Sequence, residues 1–124
     1  MEQTKVLIVE DDTNIREMYT EALRSVGLTV FTAENGAEGV KQALKQHPDV
    51  ILMDITLPDF SGHDAVEKIR VDSWGKDAKI IFLTNRTDPA NISEAVAAGS
   101  EEYIIKVHKT PHEVVNIVRA VSNS

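Results

Sequence analysis

Three short stretches of the chain are apolar at every position: Val6 to Val9, Val50 to Met53 and Ile80 to Leu83. Strands of a parallel sheet covered by helices on both faces read this way, whereas a strand with one wet face alternates. These runs predict central strands. Two weaker candidates, Leu28 to Ala33 and Glu102 to Lys106, complete a series recurring about every 22 to 30 residues, with room each time for one helix. The intervening segments carry helix punctuation. Ile15, Met18, Tyr19, Ala22, Leu23 and Val26 fall on one helical face, with Asp12 or Thr13 as N-cap and Gly27 as the stop. A second helix starts after Asn35 and ends before Pro48, with Ala37, Val40 and Leu44 inward. The third follows Ser61-Gly62-His63-Asp64, which has the form of a capping box, and turns Val66 and Ile69 to the core. The fourth has Asp88 as cap, Pro89 as first residue, Ile92, Ala95 and Val96 as core and Gly99 as stop. The fifth opens with Thr110-Pro111-His112-Glu113, another capping box, and buries Val114, Ile117, Val118 and Val121. The pattern is five βα units, an α/β doubly wound (βα)5 fold. Residues 1–124 read as one domain, with Ser122 to Ser124 as a polar tail.

Composition narrows the function classes. A chain of 124 residues, 42% hydrophobic, builds one core and not two. Lys plus Arg is 13 against 20 Asp plus Glu, a net charge of -7, which argues against direct binding of nucleic acid or an anionic membrane. The basic cluster Lys106, His108 and Lys109 is too small to change that. The absence of cysteine excludes disulfides, thiolate metal sites and thiol catalysis. No apolar run approaches the length of a membrane span or signal-peptide core, so a soluble, cytoplasmic protein is expected. His47, His63, His108 and His112 follow no metal-ligand spacing and read as solvated; Trp74, in the polar stretch Asp72 to Lys79, reads as partly exposed packing.

In an open parallel sheet the carboxyl ends of all strands share one edge, and ligands bind there. The first strand is followed by Glu10, Asp11 and Asp12, the third by Asp54, the fourth by Thr84 and the fifth by Lys106; the second yields only Glu34 and Asn35. Distant segments thus deliver acids, a hydroxyl and an ammonium to one rim. Carboxylates within roughly 5 Å repel by about 3 kcal/mol per pair at an effective dielectric near 20. A proton or a hard divalent cation must offset them, and an all-oxygen site with few protein ligands suits Mg2+.

The chain resembles the receiver domains of two-component response regulators along nearly its whole length. The resemblance is carried by Lys5-Val6-Leu7-Ile8-Val9-Glu10-Asp11-Asp12, Met53-Asp54-Ile55-Thr56-Leu57-Pro58-Asp59-Phe60-Ser61-Gly62, Leu83-Thr84 and Glu102-Tyr103-Ile104-Ile105-Lys106. It implies a flavodoxin-like five-stranded sheet of order 2-1-3-4-5. It implies Asp54 as the residue phosphorylated to an acyl phosphate, Asp11, Asp54 and the Thr56 carbonyl as Mg2+ ligands, and Glu10 as a ligand through water. By spacing, Glu10 and Asp11 match the family's acidic pair and leave Asp12 to cap the first helix; the pair Asp11 and Asp12 is the alternative. A carboxylate nucleophile needs no general base, so catalysis reduces to in-line positioning and charge compensation, roles for Mg2+ and Lys106.

The resemblance further implies that Thr84 bonds a phosphoryl oxygen, Lys106 pairs with another, and Tyr103 turns inward in concert. The surface of the fourth helix, fifth strand and fifth helix then changes for a protein output partner. A histidine kinase or phosphotransfer protein is the implied phosphoryl donor, and the expected state is a monomer or a weak phosphorylation-dependent dimer. The chain is then not an enzyme but a phosphoacceptor module with intrinsic self-phosphorylation and autodephosphorylation. With no output domain in 124 residues, altered protein binding is the expected product unless a longer regulator continues the chain.

Two positions depart from the family. Val107 follows Lys106 where most receivers have a cis proline, and a cis bond before valine would cost about 3 kcal/mol, so the positioning of Lys106 is in question. Asn85 follows Thr84 where a small residue usually guards phosphoryl access. If these disable the site, the alternative is a phosphate-blind interaction module. A metal-dependent aspartyl-phosphate phosphatase is a further alternative, but those resemble Asp-x-Asp at the strand end, and position 56 is Thr. A flavin binder would need a Ser/Thr/Gly-rich phosphate loop where Glu10-Asp11-Asp12 stands.

Overall fold

The structure, a computed structural model, describes residues 4–84, 102–105 and 110–123, with backbone alone for Thr84 and residues 102–105. Side chains from Val6 to Val9 and from Val50 to Asp54 are all buried, as apolar strands between two helical layers require. The strands are β1 (Lys5–Val9), β2 (Thr29–Ala33), β3 (Val50–Asp54), β4 (Ile80–Thr84) and β5 (Glu102–Ile105). They pair in parallel in the order β2-β1-β3-β4-β5, the doubly wound arrangement expected. Alternate residues feed different cores. Val6, Ile8, Val50 and Leu52 pack with Tyr19 and Leu23 of α1 (Thr13–Ser25) and Val114, Val115 and Val118 of the closing helix Pro111–Ser122. Leu7, Val9, Ile51 and Met53 pack with Ala43 of α2 (Gly36–Gln46) and Ala65, Val66 and Ile69 of α3 (Gly62–Val71). Among the described residues no helix is long and apolar enough to cross a membrane.

The helix starts follow the sequence signals. Asp12, Asn35, Ser61 and Thr110 are the N-caps, each accepting a backbone N–H with its side chain, and Thr110 and Glu113 form a reciprocal capping box. Gly27 ends the first βα passage at φ 89, a conformation glycine adopts without penalty. The faces differ in detail. Met18 and Val26 are exposed, because α1 bears on the sheet only through the stripe centred on Tyr19 and Leu23. Ala37 is exposed too: α2 turns Gly36, Gly39 and Ala43 inward, and Val40 and Leu44 are half-buried. A Cβ at Gly39 would lie 2.8 Å from the Val9 methyls, so α2 sits closer to the sheet than its larger residues would allow. The closing helix runs through Ser122, whose hydroxyl donates to the Arg119 carbonyl, so the tail's first residue is helical.

Two histidines expected to be solvated make ring contacts. His63 is half-buried with its ring 4.6 Å from that of Phe82, and exposed His47 stacks on half-buried Trp74 at 4.6 Å. Trp74 lies just before β4, at the sheet edge opposite the strand carboxyl ends. His112 is exposed. The predicted fourth helix, Asn85, Lys106, Val107 and His108 lie outside the described residues.

Candidate functional site

Glu10 and Asp11 leave the end of β1, and Asp54 is the last residue of β3, its neighbour in the sheet. Carboxylate oxygens of the three lie within 4.8 Å of one another. Glu10 is fully buried, Asp54 is 4% exposed, and Asp11 stands exposed at the rim. Local bonds hold the arrangement. The Asp12 amide donates to Glu10 Oε2 at 3.2 Å, and the Thr56 amide donates to Asp54 Oδ1 at 3.0 Å. Asp12 itself faces away, its Oδ1 accepting the Ile15 amide at 3.0 Å as the α1 cap. Glu10 and Asp11 thus lie beside Asp54, while the Asp12 side chain caps the helix.

The loop after β3 is pinned at both ends. The Gly62 amide donates to the Ile55 carbonyl at 2.8 Å, and the Gly62 α-carbon lies so close to the Asp54 carbonyl that a Cβ there would overlap it. At the outer end Asp59 accepts the Gly36 and Ala37 amides at 2.8 and 2.9 Å, a two-toothed cap on the N-terminus of α2. Desolvation, the largest single influence on the Asp59 carboxyl, pushes its pKa up; the N–H groups of Ala37, Gly36 and Phe60 together outweigh it and hold the group below its ordinary value. This cap escaped the sequence reading, because nothing in local spacing ties an acid after Pro58 to a helix start more than twenty residues earlier.

The direction of that shift sets a pH dependence. The folded state takes up the proton less readily than the unfolded chain, so the contribution of Asp59 is present above the ordinary carboxylate range near about pH 4 and fades as pH falls through the native value. Asp59→Ala should cost about 1 kcal/mol at neutral pH, the usual loss of a helix cap. Urea denaturation at neutral pH and near about pH 3 should show the gap between variant and wild type narrowing in acid.

Among the other predicted site residues, Thr84 ends β4 one position beyond Leu83, the backbone partner of Asp54, and stands opposite Ile105 of β5. Tyr103 pairs with Phe82 along the strand backbones. Register thus brings the ends of β3, β4 and β5 to the rim that carries the acids.

Two buried carboxylates and a third at the rim, within 4.8 Å, repel strongly at the low effective dielectric of such a site. The donor set is all oxygen, is open on the Asp11 side, and fits a hard divalent cation such as Mg2+ held by few protein ligands and several waters.

Comparison with known proteins agrees with this geometry. The chain matches the response regulator receiver domain family over residues 6–119. A probable transcriptional regulator, ycf27, of Guillardia theta is 35% identical over 117 residues, 94% of this chain and 44% of that protein. Chemotaxis protein CheY4 of Vibrio cholerae shares the fold at a TM-score of 0.91 and 32% identity, covering 97% of this chain and 99% of that one. The receiver domain of sensor histidine kinase PA1611 from Pseudomonas aeruginosa, solved with a magnesium ion coordinated in the active site cleft, gives a TM-score of 0.89 at 29% identity, covering 99% and 100%. This chain spans about half the length of the curated relatives it matches. With the sheet order, the acidic cluster and the match across residues 6–119 in agreement, the chain belongs to the receiver domain family of two-component response regulators.

Proposed function

We propose that the chain is a phosphoacceptor switch in which Asp54 takes a phosphoryl group in a Mg2+-dependent reaction. The observation that carries this reading is the buried Asp54 carboxylate clustered with Glu10 and Asp11 at the end of the central strand. Asp11 and Asp54, with the Thr56 carbonyl, would hold the cation directly and Glu10 through water. When bound, Mg2+ supplies the positive charge that offsets the carboxylates and the oxygens of the incoming phosphoryl group. The Thr56 amide fixes the plane of the Asp54 carboxylate through Oδ1. An Asp54 oxygen then forms the new O–P bond as the donor's bond to phosphorus breaks in line, and the donor leaves with the bonding electrons, as imidazole from a phosphohistidine or as carboxylate from an acyl phosphate.

Thr84 and Lys106 are assigned to two phosphoryl oxygens, a role supported for Thr84 by its backbone place beyond Leu83. Pulling these groups toward a new dianion, with Tyr103 turning inward, would bias a two-state surface formed by the fourth helix, β5 and the closing helix. A histidine kinase or phosphotransfer protein as donor, a protein output partner on that surface and a cytoplasmic location belong to the same proposal. So does the unit itself: residues 1–124 act as one receiver domain. Membership of a family of signalling modules counts against the phosphatase reading.

The test is incubation with a small acyl-phosphate donor. Intact-mass spectrometry should show one added phosphoryl group when Mg2+ is present and none with a chelator. Equal gain in both conditions, or none in either, would refute the proposal. Amide NMR is the suitable monitor of Mg2+ binding, since Trp74 stacks on His47 at the far edge of the sheet.

A further inference from the structure

Arg16 lies in the first turn of α1, just past the acidic run, and its guanidinium turns back onto that run. Nη1 donates to the Glu10 carbonyl at 2.9 Å and more weakly to the Asp11 carbonyl at 3.4 Å. Nη2 donates to Glu34 Oε1 at 3.2 Å and reaches Thr13 Oγ1 at 3.5 Å. The Arg16 side chain is only 12% exposed, against 69% for Glu34. A guanidinium presents five N–H donors in one rigid plane, so it can hold several acceptors at fixed mutual positions; a lysine ammonium is a flexible point charge. The two carbonyls it grips belong to two of the three residues whose carboxylates meet in the pocket.

From this geometry we infer that Arg16 is a positioning residue for the cation site. It fixes the backbone from which Glu10 and Asp11 project, so their carboxylates stay gathered beside Asp54 despite mutual repulsion. The inference rests on the reading of the pocket as a divalent-cation site. A charge role and a positioning role have opposite signs. Were Arg16 only a positive charge near the pocket, its removal would tighten cation binding, and Glu34 already offsets that charge at 3.2 Å. If it holds the loop, its removal loosens binding, because groups that orient metal ligands from behind typically contribute about 10-fold or more in affinity.

The experiment is a Mg2+ titration of the full chain, followed by amide NMR, for the wild type, Arg16→Met, Arg16→Lys and Glu34→Gln, with urea denaturation of each. Arg16→Met should bind Mg2+ about 10-fold more weakly, and Arg16→Lys should not recover the loss. Glu34→Gln, which keeps both carbonyl contacts, should bind within about 2-fold of wild type. Phosphoryl gain at saturating Mg2+ should return in Arg16→Met, since the defect lies in holding the cation; should Arg16→Met fail to fold, Arg16→Lys decides. Unchanged or tighter Mg2+ binding in Arg16→Met, or full recovery in Arg16→Lys, overturns the inference and leaves the pocket reading standing. A wild type that does not respond to Mg2+ overturns both.

Discussion

Asp54→Asn should make the protein more stable in the presence of a chelator and, at the same time, unable to accept a phosphoryl group. Asparagine is nearly isosteric and keeps an oxygen to accept the Thr56 amide, which lies 3.0 Å from Asp54 Oδ1. What it removes is one of three carboxylates gathered within 4.8 Å, a pair of repulsions of about 3 kcal/mol each at an effective dielectric near 20. Relaxation, water at the Asp11 side and the further contacts that these acids make offset much of this, so a net gain of about 1 kcal/mol is expected, a rise in Tm of roughly 3–5 °C. Mg2+ should raise the wild-type Tm more than the variant's, because bound cation stabilises the state that holds it. Thermal unfolding with chelator and with Mg2+, paired with intact mass after acyl-phosphate treatment, reads all three effects. A variant that is less stable in chelator, or that gains phosphoryl mass as the wild type does, contradicts the electrostatic description of the pocket.

Gly62→Ala should be destabilising by about 2–3 kcal/mol, although alanine is the better helix former by about 1 kcal/mol. Position 62 begins α3 with ordinary helical backbone, so conformation is no obstacle. Space is. A Cβ would overlap the Asp54 carbonyl oxygen and lie 2.9 Å from its carbon and 3.0 Å from the Ile55 α-carbon, all backbone atoms of a buried strand end. Neither side can yield cheaply: α3 is tied by the Gly62 amide to Ile55 and by Ala65, Val66 and Ile69 to the core, and β3 is the central strand. Whatever shift occurs moves Asp54, so weakened Mg2+ binding should accompany the lost stability. Urea denaturation and a Mg2+ titration check both. A neutral or stabilising alanine would show that the close approach is not tight.

Much of this was legible in the residues. Runs apolar at every position announced strands buried on both faces, and Asn35, Ser61, Thr110 and Gly27 marked helix limits, because these signals are local and the physics behind them acts within a turn. The acids at the strand ends could be placed on one rim because parallel topology sends every strand end there. What escaped were contacts between elements distant in sequence. The inward face of α2 is made by Gly36, Gly39 and Ala43, chosen for closeness to Val9 and Phe60, and no apolar periodicity reveals a helix packed through its glycines. The Asp59 cap on α2 and the Arg16 grip on the Glu10 and Asp11 carbonyls depend on how loops meet after folding. An arginine four residues past Asp12 was the one available hint of a cation turned back on the acidic run.

The most direct measurement is the chemical location of the phosphoryl group. Borohydride reduces an aspartyl phosphate to homoserine, so treating the phosphorylated chain and sequencing its peptides by mass spectrometry should find homoserine at position 54, in amounts that follow the Mg2+ supplied. Homoserine at Asp11, Asp12 or another acid, or a phosphoryl group that resists reduction and sits on a histidine or hydroxyl, would contradict Asp54 as the acceptor.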